Sequence, residues 1–105
     1  MEITIAETPC LIKKMSDVSG LPESDIMSKS RKWPLPACRW FIGAELMNMG
    51  FPSTVAAKNL GLDHATLLYG RKQIKKMKKS RRFRWENEIY ERFKESINAD
   101  KQKRL

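Results

Sequence analysis

Between Thr54 and Tyr69 the sequence reads TVAAKNLGLDHATLLY, and the placement of its one glycine restricts what this stretch can build. Two helices that meet at a steep angle through a turn of three or four residues need a small side chain where their backbones touch, with apolar side chains around it. Ala57 is that small residue. Gly61, four positions later, falls where the first helix must stop in a left-handed conformation, which a residue without a β-carbon adopts at little cost. Leu60 and Leu62 are then expected as buried turn residues, and Asp63 as a carboxylate capping the exposed amides of the next helix. Leu67 and Ile74 mark the inner face of that helix. Its outer face receives His64, Ala65, Thr66 and Tyr69, which together with Asp63 form the candidate base-contacting set, because in such units the second helix lies in the major groove with its first residues against base edges.

A helix, a glycine turn and a helix also join ordinary antiparallel helices. Charge distinguishes the two uses. Through Ala57 the chain carries six basic and six acidic residues; after it come fifteen basic and six acidic, so all of the net charge of +9 follows the small residue of the turn. From Arg71 to Arg84 nine of fourteen residues are basic and none is acidic. Exposed helical faces normally mix signs, whereas an acid-free run beside a helix-turn-helix suits a phosphate backbone. Lys58, Arg71, Lys72, Lys75 and Lys76 are the candidate backbone contacts from this half of the chain.

Around this unit the apolar spacing predicts an all-α fold: a small helical bundle containing the helix-turn-helix, with an additional C-terminal helix. Met1 to Glu7 alternates too briefly to decide between a strand and an ordered tail. Leu11, Ile12, Met15 and Val18 predict a helix from Thr8 to Val18, with Thr8 as cap, Pro9 in the first turn and Gly20 as the stop. A short turn around Ile26 and Met27 leads into a proline-broken basic loop, Ser28 to Pro36. A long helix is expected from about Ala37 to Met49, facing Trp40, Phe41, Ala44 and Met47 or Met49 inward. Trp85, Ile89, Phe93 and Ile97 predict the last amphipathic helix, with Glu86, Glu88, Glu91, Arg92, Lys94 and Glu95 on its other face. On this reading 105 residues form one domain, with a core at roughly 8–79, a C-terminal helix at 80–98 and a basic tail at 99–105. Trp40 and Trp85 are expected in the core, while Trp33 in the basic loop is open between capping the core and touching a sugar edge.

Several function classes drop out on composition. No apolar run approaches the roughly 20 residues of a membrane span. The N-terminus lacks the apolar core of a secretory signal, and two cysteines are too few for a disulfide framework, so a reducing cytoplasm is the expected compartment. Cys10, Cys38 and His64 lack the paired short spacings of zinc ligands, which makes the thiols core residues and leaves no expected cofactor. One histidine, no clustered carboxylates and no nucleophile elbow exclude a small hydrolase or nuclease. A protein-interaction or non-specific basic nucleic-acid-binding module remains as the alternative, but it has no need of Asp63, His64 and Thr66 on an outer face.

The order SGLPESDIMSKSR, then GAELMN, then LGLDHATLLYGRKQI, spanning roughly Leu11 to Met77, resembles the C-terminal DNA-binding domain of the bacterial replication initiator DnaA. That family places Asp-His-Thr-Thr at the start of its recognition helix. The resemblance implies double-stranded DNA as partner, base contacts from Asp63, His64 and Thr66, and a minor-groove loop in the region of Lys29, Arg31 and Lys32. It also implies a role in replication initiation or its regulation, with another replication protein as a further partner. Two departures are visible: Leu62 stands where the family carries an arginine or lysine in a longer turn, and Ala65 replaces the first threonine. Ala65 trades a hydroxyl for contact with a thymine methyl, so a shifted target site is expected. The glycine-rich phosphate loop of the full initiator's ATPase is absent from these 105 residues.

Overall fold

The apolar periodicities of the sequence become six α-helices and no strand among residues 4–103, the part of the chain described by the structure, a computed structural model. They are α1 (Thr8–Ser19), α2 (Glu23–Ile26), α3 (Leu35–Asn48), α4 (Ser53–Asn59), α5 (His64–Met77) and α6 (Arg84–Lys103), with a 3-10 turn at Arg81–Phe83 before α6. The all-α expectation holds.

α3 is the axis of the bundle, since it packs against every one of the other five helices. It starts at Leu35, two residues before the expected Ala37, because Pro36 occupies the first turn, where a missing N–H costs nothing. A helix enclosed on all sides cannot keep one polar stripe. Phe41 and Ala44 are buried as expected, but Ile42 and Leu46 are fully buried as well, while Trp40, Met47 and Met49 are only partly covered.

α1 ends at Gly20 as expected, but Thr8 is its first residue and not its cap; Glu7 holds the cap position without a side-chain bond. The buried Thr8 hydroxyl has no hydrogen-bond partner among the described residues. Just upstream, Ile3 lies outside the described residues, and Ile5 resolves the open choice in favour of an ordered tail. Its side chain is buried, and its N–H donates to Asn59 Oδ1 at 2.9 Å, tying the N-terminus to α4.

The last helix shows the largest shift in register. Ile89, Phe93 and Ile97 are buried as expected, together with Tyr90, but Trp85 is 43% exposed and Glu86 is buried. Residues four apart on a helix with 3.6 residues per turn drift about 40° at each step, so three steps rotate Trp85 off the face that Ile97 occupies. Glu86 takes its place. The helix also continues to Lys103, so residues 99–103 are helical instead of forming a separate tail. α6 lies along α1, with Lys14 Nζ 2.6 Å from Asp100. Against α3, Tyr90 stacks on Phe41 with centroids 4.4 Å apart and donates its hydroxyl to Glu45 Oε1 at 2.9 Å. Burial, reinforced by the Glu45 charge, holds the Tyr90 phenol well above its ordinary range.

Of the two thiols only Cys38 is a core residue; Cys10 is exposed. Burial pushes the Cys38 pKa up from 9.0 to about 11, against a smaller opposing effect of Arg39. Below pH 9 the thiol is neutral in the folded and unfolded states alike, and its contribution is fully present. Between about pH 9 and 11 the unfolded chain releases a proton that the folded chain retains, so stability falls across that window and this loss then stops. In urea unfolding under reducing conditions, the wild type should lose about 1–3 kcal/mol more than Cys38→Ala between pH 8.5 and 11. Parallel losses in the two proteins would remove the thiol from the explanation.

Candidate nucleic-acid interface

α4 and α5 are joined by Leu60–Asp63, and the backbone of this turn closes on itself. The Leu62 N–H donates to the Ala57 carbonyl at 2.8 Å and the Gly61 N–H to that of Lys58 at 3.1 Å. Gly61 has φ 67°, in the left-handed region that makes glycine the favoured residue. Ala57 and Leu60 are buried, whereas Leu62 is only partly covered. Asp63 occupies the extended cap position of α5, yet its carboxylate makes no bond to the helix amides and is exposed. The expected capping role is therefore not met, and the charge faces outward.

α5 separates its two faces cleanly. Leu67, Gly70, Ile74 and Met77 are buried, and Asp63, His64, Ala65, Thr66, Leu68 and Tyr69 are exposed along the first two turns. Gly70 lets α5 approach α3 closely, since a β-carbon there would overlap the indole of Trp40. The exposed set is not one patch. Asp63, Thr66 and Tyr69 turn toward the Ser28–Trp33 loop, whereas His64 turns toward α4, where its Nδ1 shares a 3.0 Å hydrogen bond with Ser53 Oγ. Ala65 lies outside the loop-side groove but is equally exposed.

That groove, of about 640 Å³, brings Lys29 and Arg31 together with Asp63, Thr66 and Tyr69, and Trp40 also lines it. Lys32 is exposed beside it without lining it. Lys58 on α4 and Arg71, Lys72, Lys75 and Lys76 on α5 are all exposed. The acid-free run therefore covers the end of α5, the 3-10 turn and the start of α6.

Two residues absent from the sequence-derived site hold the loop in place. Arg39, only 5% exposed, donates Nε to the Ile26 carbonyl at 2.7 Å, Nη1 to that of Ser30 at 2.7 Å and Nη2 to that of Asp25 at 3.2 Å. Burial lowers its pKa from the ordinary guanidinium value, and three carbonyl dipoles stand in for a counter-ion. At the other end of the loop, Trp33 donates Nε1 to Glu86 Oε2 at 2.6 Å and packs edge-on against Trp40, with centroids 5.9 Å apart. An arginine inside the apolar run ACRWFIG was the available signal for the first clamp. Nothing local signalled the second.

Among the described residues no group of three or more His, Cys, Asp or Glu side chains is arranged to hold a metal ion, and no helix is long and apolar enough to cross a membrane. In comparisons with protein-family profiles, with curated proteins and with solved structures, the chain matched none.

Proposed function

We propose that this chain binds double-stranded DNA in a sequence-specific way, as a non-enzymatic cytoplasmic reader of the DnaA C-terminal type acting in replication initiation or its regulation. The observation that supports the reading best is the convergence of Lys29 and Arg31 with Asp63, Thr66 and Tyr69 on one groove, with further exposed cations along the same helix α5. A helix start in the major groove and a basic loop held one groove away would read a site as a single copy, without a two-fold partner. Asp63 and Thr66 offer an acceptor and a hydroxyl to base edges, and the Ser53 contact engages Nδ1 of the exposed His64 ring, leaving Nε2 for a base. Arg71, Lys72, Lys75 and Lys76 meet phosphates and carry most of the affinity.

The test is selection of bound duplexes from a random library at moderate salt, with wild type and His64→Ala side by side. The wild type should enrich a motif, and the variant should blur one or two of its positions by about 1–3 kcal/mol of discrimination. Lys72→Gln should instead weaken all duplexes alike and reduce the slope of log affinity against log salt by about one. No enriched motif in the wild type would defeat the reading and leave a non-specific basic module.

A further inference from the structure

A second concavity, of about 480 Å³, shares Trp33, Trp40 and Tyr69 with the groove and is lined further by Phe83, Glu86 and the polar side chains of Gln73 and Arg82. Its size is that of a small-ligand site. The rings touch edge to edge and at tilted angles, with Trp33 5.9 Å from Trp40 and from Phe83, and Trp40 6.0 Å from Tyr69. Trp33 is 47% exposed and Tyr69 56%, so ring surface is left open to a further aromatic group. Glu86 is unusual for a carboxylate. It is 9% exposed, it accepts one hydrogen bond, from Trp33, and it has no ion-pair partner among the described residues. One carboxylate oxygen is thus taken by the Trp33 indole, and the other is not among the buried atoms left without a partner, so it is reachable from the concavity.

We propose that this pocket receives a single unstacked nucleobase carrying an exocyclic amino group, which cytosine, adenine and guanine have and thymine lacks. The proposal rests on the DNA-binding reading above and adds to it a second, base-holding site. Stacking on exposed aromatic faces suits any base, while the Glu86 carboxylate accepts a hydrogen bond from an exocyclic amine, in place of which unpaired thymine offers only its single ring N3–H. Trp33, Trp40 and Tyr69 line both concavities, so the pocket opens directly beside the face of α5 that carries the site. Charge selects the class of ligand: a free organic cation would satisfy rings and carboxylate, but it would have to approach through Arg82 and the acid-free basic run, which attract a phosphate-linked base instead.

The experiment compares duplexes of one sequence that differ only at a central one-nucleotide bulge: cytosine, thymine, an abasic nucleotide, or no bulge. The abasic bulge controls for bending. Cytosine should bind about fivefold or more tighter than the abasic duplex, the lower end of what stacking one base contributes, with thymine between them. In Trp33→Ala the cytosine-to-abasic ratio should fall to about one, and in Glu86→Gln the cytosine-to-thymine ratio should do the same. Ratios are read because mere loosening of the loop would weaken every duplex equally. Equal affinity for cytosine and abasic bulges, with the paired duplex still bound, overturns the pocket and leaves the DNA-binding reading standing; failure to bind any of the four overturns both.

Discussion

Arg39→Met is expected to cost about 2–4 kcal/mol of stability and to weaken duplex binding at least about tenfold, an effect far larger than that of removing any one exposed cation. Methionine keeps most of the apolar stem, so the loss falls on the guanidinium. The carbonyls of Ile26 and Ser30 lose their side-chain donor together, while that of Asp25 keeps the Ser28 N–H and hydroxyl. Each hydrogen bond to a charged group contributes about 1.5–3 kcal/mol, and an orphaned buried acceptor costs about 1–3. The full sum is not expected, because the Asp25 carbonyl retains the Ser28 donors and Ser30 is only half-buried, whereas Ile26 is completely buried. Binding suffers because the same bonds position Lys29 and Arg31. Arg39→Lys should rescue little, since one ammonium cannot serve three carbonyls in a fixed fork. Urea midpoints and duplex titrations on both variants check this; a variant as stable as wild type with unchanged affinity would show that the loop holds its shape without the clamp.

Phe93→Ala is expected to cost about 3–5 kcal/mol, the range for deleting an aromatic side chain from a closed core. Phe93 is completely buried on α6, which packs against both α1 and α3. Trp85→Ala, on the same helix but 43% exposed, should change stability by less than about 1 kcal/mol. The pair distinguishes a C-terminal helix that completes the core from one appended to it. Chemical denaturation of both variants reads the difference, and a Phe93 loss no larger than that of Trp85 would mean that the bundle closes without α6.

Much of the architecture was legible because it depends on short-range chemistry. Gly20 and Gly61 stop helices by their own conformational freedom, and Leu67 and Ile74 share a face because of helical period alone. The same phase places Ala65 and Tyr69 opposite Leu67, whereas Asp63 and His64 lie within about 60° of Leu67's direction and are exposed because they stand at the start of the helix. Spacing failed where small angular errors accumulate or where a helix has more than one neighbour. Trp85 and Glu86 exchanged roles through a drift of about 40° per four residues, and α3 buries Ile42 and Leu46 beyond its expected inward face because it packs against five helices.

The sequence by itself thus determined where the helices lie, the glycine stops at Gly20 and Gly61 and the exposed side of α5, since each depends on residues within a few positions of one another. Only the tertiary structure decided that Arg39 would clamp the basic loop, that Trp33 would reach Glu86 across fifty-three residues of chain, and that loop and helix start would share a groove. Those contacts depend on how six helices stack, and packing distances between distant segments leave no periodic trace in the order of the residues.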